Sequence, residues 1–161
     1  MAKIHSREVA ISVYYALIQS HITYGIALWG SCTNTKMERV FKLQKRAIRY
    51  VVGIKSDESC RIHFKNLGVL TVPSLYILEV CTYVKKNTNK IPKLGDNHTY
   101  DTRHRDRFQI AEHHSVRYEM KPSFNGCKMY DRVRVSIKEI VGWKGFKKAV
   151  KRYLLEQFFT P

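Results

Sequence analysis

Apolar residues recur at helical spacing through most of the first ninety positions of this chain. Ser6 is placed to cap a segment that carries Val9, Val13, Leu17 and Ile18 along one side. The aromatic stretch Tyr24-Gly25-Ile26-Ala27-Leu28-Trp29-Gly30 follows, and its two glycines predict a break rather than a continuous helix. The clearest element comes next. Thr35-Lys36-Met37-Glu38 fits a capping box, in which hydroxyl and carboxylate satisfy orphan amides reciprocally, and Gly53 fits a C-terminal stop. Between them Met37, Val40, Phe41, Gln44, Ala47, Ile48, Val51 and Val52 occupy one arc of about 140° at roughly 100° per residue. Arg39, Lys42, Lys45, Arg46 and Arg49 fill the neighbouring arc of about 120°, with no acid expected among them.

A short helix is expected from Asp57 to Asn66, stopped by Gly68. Thr71-Val72-Pro73 starts another, because proline is tolerated in a first helical turn. Leu75, Leu78, Glu79 and Thr82 share a face there, while Ile77, Val80, Cys81 and Val84 widen the apolar surface, as in a helix buried on several sides. Residues 87–92 read as a linker. Residues 95–135 lose periodicity and read as irregular basic structure, with short strands expected at 108–110 and 116–120. Ser136-Ile137-Lys138-Glu139 offers a second capping box. After Gly142 and Gly145 a terminal amphipathic helix sets Phe146, Ala149, Val150, Tyr153, Leu154, Gln157 and Phe158 opposite Lys144, Lys147, Lys148, Lys151 and Arg152. The expectation is a mainly α fold: a helical bundle over residues 1–90, then a basic region over 91–161 that ends in a helix.

Charge changes the picture more than length does. The 161 residues carry 29 Lys and Arg against 13 Asp and Glu, a net charge of +16 that calls for a polyanionic partner, nucleic acid foremost. Hydrophobic content of 44% excludes wholesale disorder. No apolar run approaches the roughly 18 to 20 residues that a membrane span needs, and the beginning of the chain lacks the apolar stretch of a signal peptide. The terminal helix has no Trp on its apolar stripe, which disfavours peripheral membrane binding. Cys32, Cys60, Cys81 and Cys127 form no Cys-x-x-Cys pair and suit a reducing compartment. Cys60 and His63 stand at a spacing zinc can use, but no second pair accompanies them, so buried thiols are expected and no metal site.

Catalytic constellations are missing. Asp57, Asp96, Asp101, Asp106 and Asp131 are scattered, whereas two-metal phosphoryl transfer needs converging carboxylates. Neither a glycine-rich phosphate loop nor a Gly-x-Ser-x-Gly elbow occurs. His113-His114 in a polar stretch reads as solvated rather than acid–base. No catalytic residue and no cofactor are assigned to this chain. Binding chemistry remains: a rise of 1.5 Å per residue spreads Arg39 to Arg49 over roughly 15 Å, the track of a few phosphates. Arg103, Arg105 and Arg107, in the run with His104 and Asp106 and near Tyr100 and Phe108, suit backbone contact plus base stacking, or else form a plain basic loop. On the terminal helix the lysines read as a solvated face.

Several stretches, in order and nearly chain-wide, resemble non-LTR retrotransposon reverse transcriptases, jockey-like LINE elements of arthropods above all. They are Tyr14-Tyr15-Ala16-Leu17-Ile18-Gln19-Ser20-His21 with Tyr24-Gly25 and Trp29-Gly30, then Leu43-Gln44-Lys45-Arg46-Ala47-Ile48-Arg49. Ser59-Cys60 with Phe64, Leu70-Thr71-Val72-Pro73-Ser74-Leu75-Tyr76, Thr102-Arg103, and Phe146-Lys147-Lys148 with Tyr153-Leu154-Leu155 continue the series. The resemblance implies the thumb (residues 1–90) and post-polymerase region (91–161) of such a polymerase, in an intracellular, nuclear setting. The part that would hold the Tyr-x-Asp-Asp aspartates and Mg²⁺ is absent, as is the upstream endonuclease. It implies a grip on an RNA–DNA template–primer hybrid by Arg39, Lys42, Lys45, Arg46 and Arg49, contact with the upstream polymerase region, and a motif role for Ser20, His21, Tyr24 and Trp29. Tyr24 and Trp29 can alternatively serve as aromatic core. Where the family commonly has Asn-x-Leu-Pro this chain has Asp131-Arg132-Val133-Arg134, which puts the local turn in doubt and suggests a decayed or truncated copy; the Cys-Cys-His-Cys knuckle of some relatives is missing. A free-standing basic helical RNA-binding module is the alternative.

Overall fold

A computed structural model describes residues 6–96, 100, 103, 105–110 and 112–157. The described chain is mainly α-helical. It divides into two compact units, one of residues 1–76 with 151–161 and one of residues 77–150, so the division falls within helices rather than at residue 90.

In the first unit, Ser6 caps α1 (Arg7–Val13) by accepting from the Glu8 amide, as the sequence predicts. The helix does not then continue regularly. Tyr14–Gln19 forms a π turn, in which the Ser20 N–H reaches back five residues to the Tyr15 carbonyl, before α2 (Ser20–Thr23) resumes. The wider turn keeps Ala10, Tyr14, Ile18 and Ile22 on the inner side, although residues four apart drift by about 40° per step in an unbroken α-helix. The expected apolar side is thereby corrected. Val9, Val13 and Leu17 face outward, Leu17 with 61% of its surface exposed.

Gly25 ends this run with a left-handed φ of +62°, and α3 (Ile26–Trp29) follows. At Gly30 any Cβ would run into the Tyr76 ring, so the close approach requires glycine. The 19-residue α4 (Asn34–Val52) has the expected buried arc and the expected stop at Gly53, whose N–H donates to the Arg49 carbonyl. Its start differs from the predicted capping box. Thr33 takes the extended cap geometry, its carbonyl accepts from the Lys36 and Met37 amides, and Thr35 is left inside the first turn. Likewise α5 (Arg61–Asn66) begins four residues later than expected, because residues 57–60 turn back beside the end of α4. Tyr14, Ile48, Cys60, Phe64 and Val69 meet in the core; each large apolar side chain buried there contributes about 1.5–3 kcal/mol. At their centre Gln44, wholly buried, donates to the Leu70 carbonyl and accepts from the Val72 amide, both at 2.9 Å. It thus holds the start of α6 (Val72–Lys86), with Pro73 in the first turn as predicted.

The second unit takes the later part of α6 with α7 (Val116–Glu119), α8 (Pro122–Asp131), α9 (Val135–Lys138) and the earlier part of α10 (Trp143–Gln157). Gly126 lets α8 lie directly on Val80 and Val84, since a Cβ there would stand 2.8 Å from Val84 Cγ2. Tyr130 stacks on Phe146 and meets Phe108 edge-on. Three expectations are corrected here. Among the described residues no strand forms: Phe108 makes one isolated bridge with Lys93, and Val116–Glu119 is helical. Pro122 at a first turn starts a helix that loss of periodicity concealed. Ser136 lies inside α9, whose N-cap is Arg134, so that capping box is not made either. The turn at 131–134 nonetheless forms. Val133 is buried, and Arg134 adopts φ −56°, inside the range of about −65 ± 15° that proline would impose. In α10 Phe146, Val150 and Leu154 are buried as expected, Gly145 lies within the helix rather than before it, and Phe158 lies outside the described residues.

Candidate nucleic-acid interface

The buried arc of α4 fixes its outer face. Phe41, Gln44, Ile48 and Val52 pack inward, so Arg39, Lys42 and Arg46 project into solvent. Lys45 and Arg49 behave differently. Both turn toward residues 59–61 and line a cleft of about 340 Å³ together with Phe41, Cys60, Arg61 and Phe64. Lys45 Nζ stands 4.8 Å from the Phe41 ring centroid, a cation–π position, and Arg49 Nε donates to the Glu58 carbonyl at 2.9 Å. The five cations therefore split into three on an open face and two in a cleft.

The acid-free arc also needs correction. Because α4 begins at Asn34 rather than at a capping box, Glu38 is an ordinary second-turn residue. At roughly 100° per residue it falls within the basic arc, four positions before Lys42. Toward Gly53 the arc remains purely cationic.

The opposite flank of this face is apolar and open. Leu43 and Tyr50 are exposed beside Arg39 and Arg46, and a groove lined by Ala10, Val13, Ile18, Ala47 and Tyr50 separates α4 from α1.

Arg103, Arg105 and Arg107 belong to the second unit and are all exposed. Backbone bonds from Leu94 to the Arg107 carbonyl and from Gly95 to the Arg105 carbonyl tie this run to residues 93–95. Lys93 and Asp106 form an exposed ion pair at 3.6 Å. Phe108 cannot stack on a base, since it is buried against Tyr130; Tyr100 is exposed. Thr102 and His104 lie outside the described residues.

Of the motif residues, Ser20 and His21 return their side chains to the Ala16 and Leu17 carbonyls, closing the helix after the π turn. Tyr24 is 86% exposed, which overturns the aromatic-core alternative for it. Trp29 is half-buried, and its indole N–H donates to the Tyr24 carbonyl at 2.9 Å. His113 is neither solvated nor poised for acid–base work: its ring packs on Tyr118 and Phe124, and Nε2 lies 3.1 Å from a Glu119 oxygen.

Burial sets the chemistry of the remaining groups. It pushes the Tyr14 hydroxyl up to about 12, against the lowering effect of the Gln44 hydrogen bond, and the Cys81 thiol up to about 12 despite nearby Lys138. The Cys127 thiol rises to about 11 for the same reason, with Asp131 adding to it. Among the described residues no cluster of three or more His, Cys, Asp or Glu could hold a metal ion, and no helix is long and apolar enough to cross a membrane. Arg61 is the cleft residue that sequence reasoning missed. A helix from Asp57 would have buried it in a run of turns, and only the fold-back of residues 57–60 brings it opposite Arg49. Compared with known protein families, curated proteins and solved structures, the chain matches none of them.

Proposed function

We propose that this chain is a nucleic-acid-binding thumb and post-polymerase region of a non-LTR retrotransposon reverse transcriptase, gripping the RNA–DNA template–primer hybrid without catalytic residues of its own. One observation carries the proposal: Arg39, Lys42 and Arg46 stand exposed on one long helix whose opposite arc is locked into the core. A rigid row of cations suits a regular row of phosphates, because the helix need not be reorganised on binding. Mg²⁺ and the catalytic aspartates would belong to the polymerase part of the element, not to these residues. The proline-like φ of Arg134 supports the resemblance at the position where the residue types depart from it. The exposed Val9, Val13 and Leu17 offer a seat for the upstream polymerase region, since an apolar face on so charged a chain favours a protein contact.

The test is charge reversal on the exposed row. Arg46→Glu is expected to weaken binding of a blunt RNA–DNA hybrid at least tenfold with no change in thermal stability. Unchanged affinity would sink the grip. Sequencing the DNA upstream of Met1 separates the polymerase heritage from a free-standing RNA-binding module, because only the former predicts a polymerase reading frame there, intact or broken.

A further inference from the structure

The cleft between α4 and α5 has a composition that the outer face lacks. Its floor is apolar, with Phe41 half-buried and Cys60 and Phe64 buried. Its rim carries Lys45, Arg49 and Arg61, and no carboxylate lines it. The nearest acid, Glu58, directs its carboxylate to the Lys55 amide at 3.1 Å while its carbonyl holds Arg49. Three cations converging on one cavity repel one another unless an anion joins them. An apolar floor beneath them is the wrong surface for phosphate alone, whereas a base fits it. The other cavities differ: the groove beside α1 has no charged group, and the one around His113 mixes Glu112 with Lys128. A volume of about 340 Å³ lies within the roughly 300–1,000 Å³ usual for small-ligand sites.

The geometry points to a nucleotide pocket: the cleft receives one nucleoside monophosphate unit, its phosphate on Lys45, Arg49 and Arg61 and its base against Phe41. This deepens the nucleic-acid reading and rests on it where the unit belongs to a strand. An unpaired nucleotide beside the hybrid would lie in the cleft while the paired phosphates lie along Arg39, Lys42 and Arg46. Arg49 is already held by Glu58 and Lys45 already sits over the floor, so two of the three cations are positioned before the ligand arrives.

The experiment is calorimetric titration of the full chain with AMP, adenosine and inorganic phosphate, with amide chemical-shift mapping to locate the site. AMP is expected to bind at least tenfold more tightly than phosphate or adenosine, with shifts centred on residues 41–49 and 59–64. Arg61→Glu, at an exposed position, and Phe41→Leu, which keeps an apolar floor, should each weaken AMP at least fivefold and leave a blunt hybrid within twofold. A hybrid with a one-nucleotide overhang binding fivefold better than a blunt one, a gain lost in Phe41→Leu, assigns the pocket to a strand; AMP binding without that gain assigns it to free nucleotide. AMP no tighter than phosphate, shifts elsewhere, or both variants binding AMP like the parent would overturn the pocket. Blunt-hybrid binding without AMP binding leaves the grip standing and removes the pocket. AMP binding without hybrid binding does the reverse.

Discussion

Gln44 Nε2 donates to the Tyr14 hydroxyl at 2.9 Å, joining α4 to the π turn across thirty residues of sequence, with both side chains out of contact with water. The same amide holds the Leu70 carbonyl and the Val72 N–H, so one side chain organises three segments of the first unit. A buried polar group so fully bonded is stabilising only while every partner remains. Gln44→Leu, close in size, strands a hydroxyl, a carbonyl and an amide, and should cost about 3 kcal/mol or more in urea unfolding. Tyr14→Phe, which removes only one partner, should cost about 1 kcal/mol. A Gln44→Leu cost below that of Tyr14→Phe would refute the network.

Alkaline pH should expose the buried hydroxyl. Burial raises Tyr14 from 10 to about 12, so between those values the native state holds a proton that the unfolded state has lost, and stability falls as pH rises. The contribution is complete below pH 10 and gone above about 12, a loss of at most about 3 kcal/mol at 1.36 kcal/mol per unit. Cys81 and Cys127, raised from 9 to about 12 and about 11, have the same sign and start the decline near pH 9. Urea unfolding at stepped pH should show the fall, and Tyr14→Phe should be flatter between pH 10 and 12.

Thiol labelling should separate the four cysteines. Cys32 is half-exposed, whereas Cys60, Cys81 and Cys127 are buried, and burial also holds the last two as unreactive thiols at neutral pH. An aromatic disulfide reagent at pH 7.5 should modify one thiol per chain quickly, and Cys32→Ser should abolish that fast phase. Three or four equally fast thiols would contradict the packing.

How much of this was legible beforehand depends on where each signal resides. The arcs of α4, α6 and α10 and the stop at Gly53 follow from local periodicity and glycine chemistry, so the sequence predicts them. The π turn does not show, because Val9, Val13 and Leu17 and the row Ala10, Tyr14, Ile18 are both apolar and both four apart; one inserted residue decides which row faces inward. Both capping boxes were decoys, since Thr33 and Arg134 set the helix starts by backbone geometry with no side-chain cap. At the site, the α4 cations are a one-helix property and could be read directly. The cleft could not, because Arg61 reaches it only through the fold-back of residues 57–60.

The outward row gives a second stability prediction. Leu17→Gln should change unfolding free energy by no more than about 0.5 kcal/mol, since the side chain is largely in water already. Tyr14→Ala, one turn earlier on the inner row, should cost about 3–5 kcal/mol. Equal costs would mean that the π turn does not set the register.

The central claim is a grip through paired phosphates, and its most direct measurement is the affinity for a blunt RNA–DNA hybrid as a function of salt. Engagement of about five phosphates by Arg39, Lys42, Lys45, Arg46 and Arg49 predicts that log affinity falls against log salt with a slope of roughly −4 to −5. Replacing Arg39, Lys42 and Arg46 together with alanine should bring the slope to about −2. A wild-type slope near zero, or one the triple variant leaves unchanged, would contradict the account.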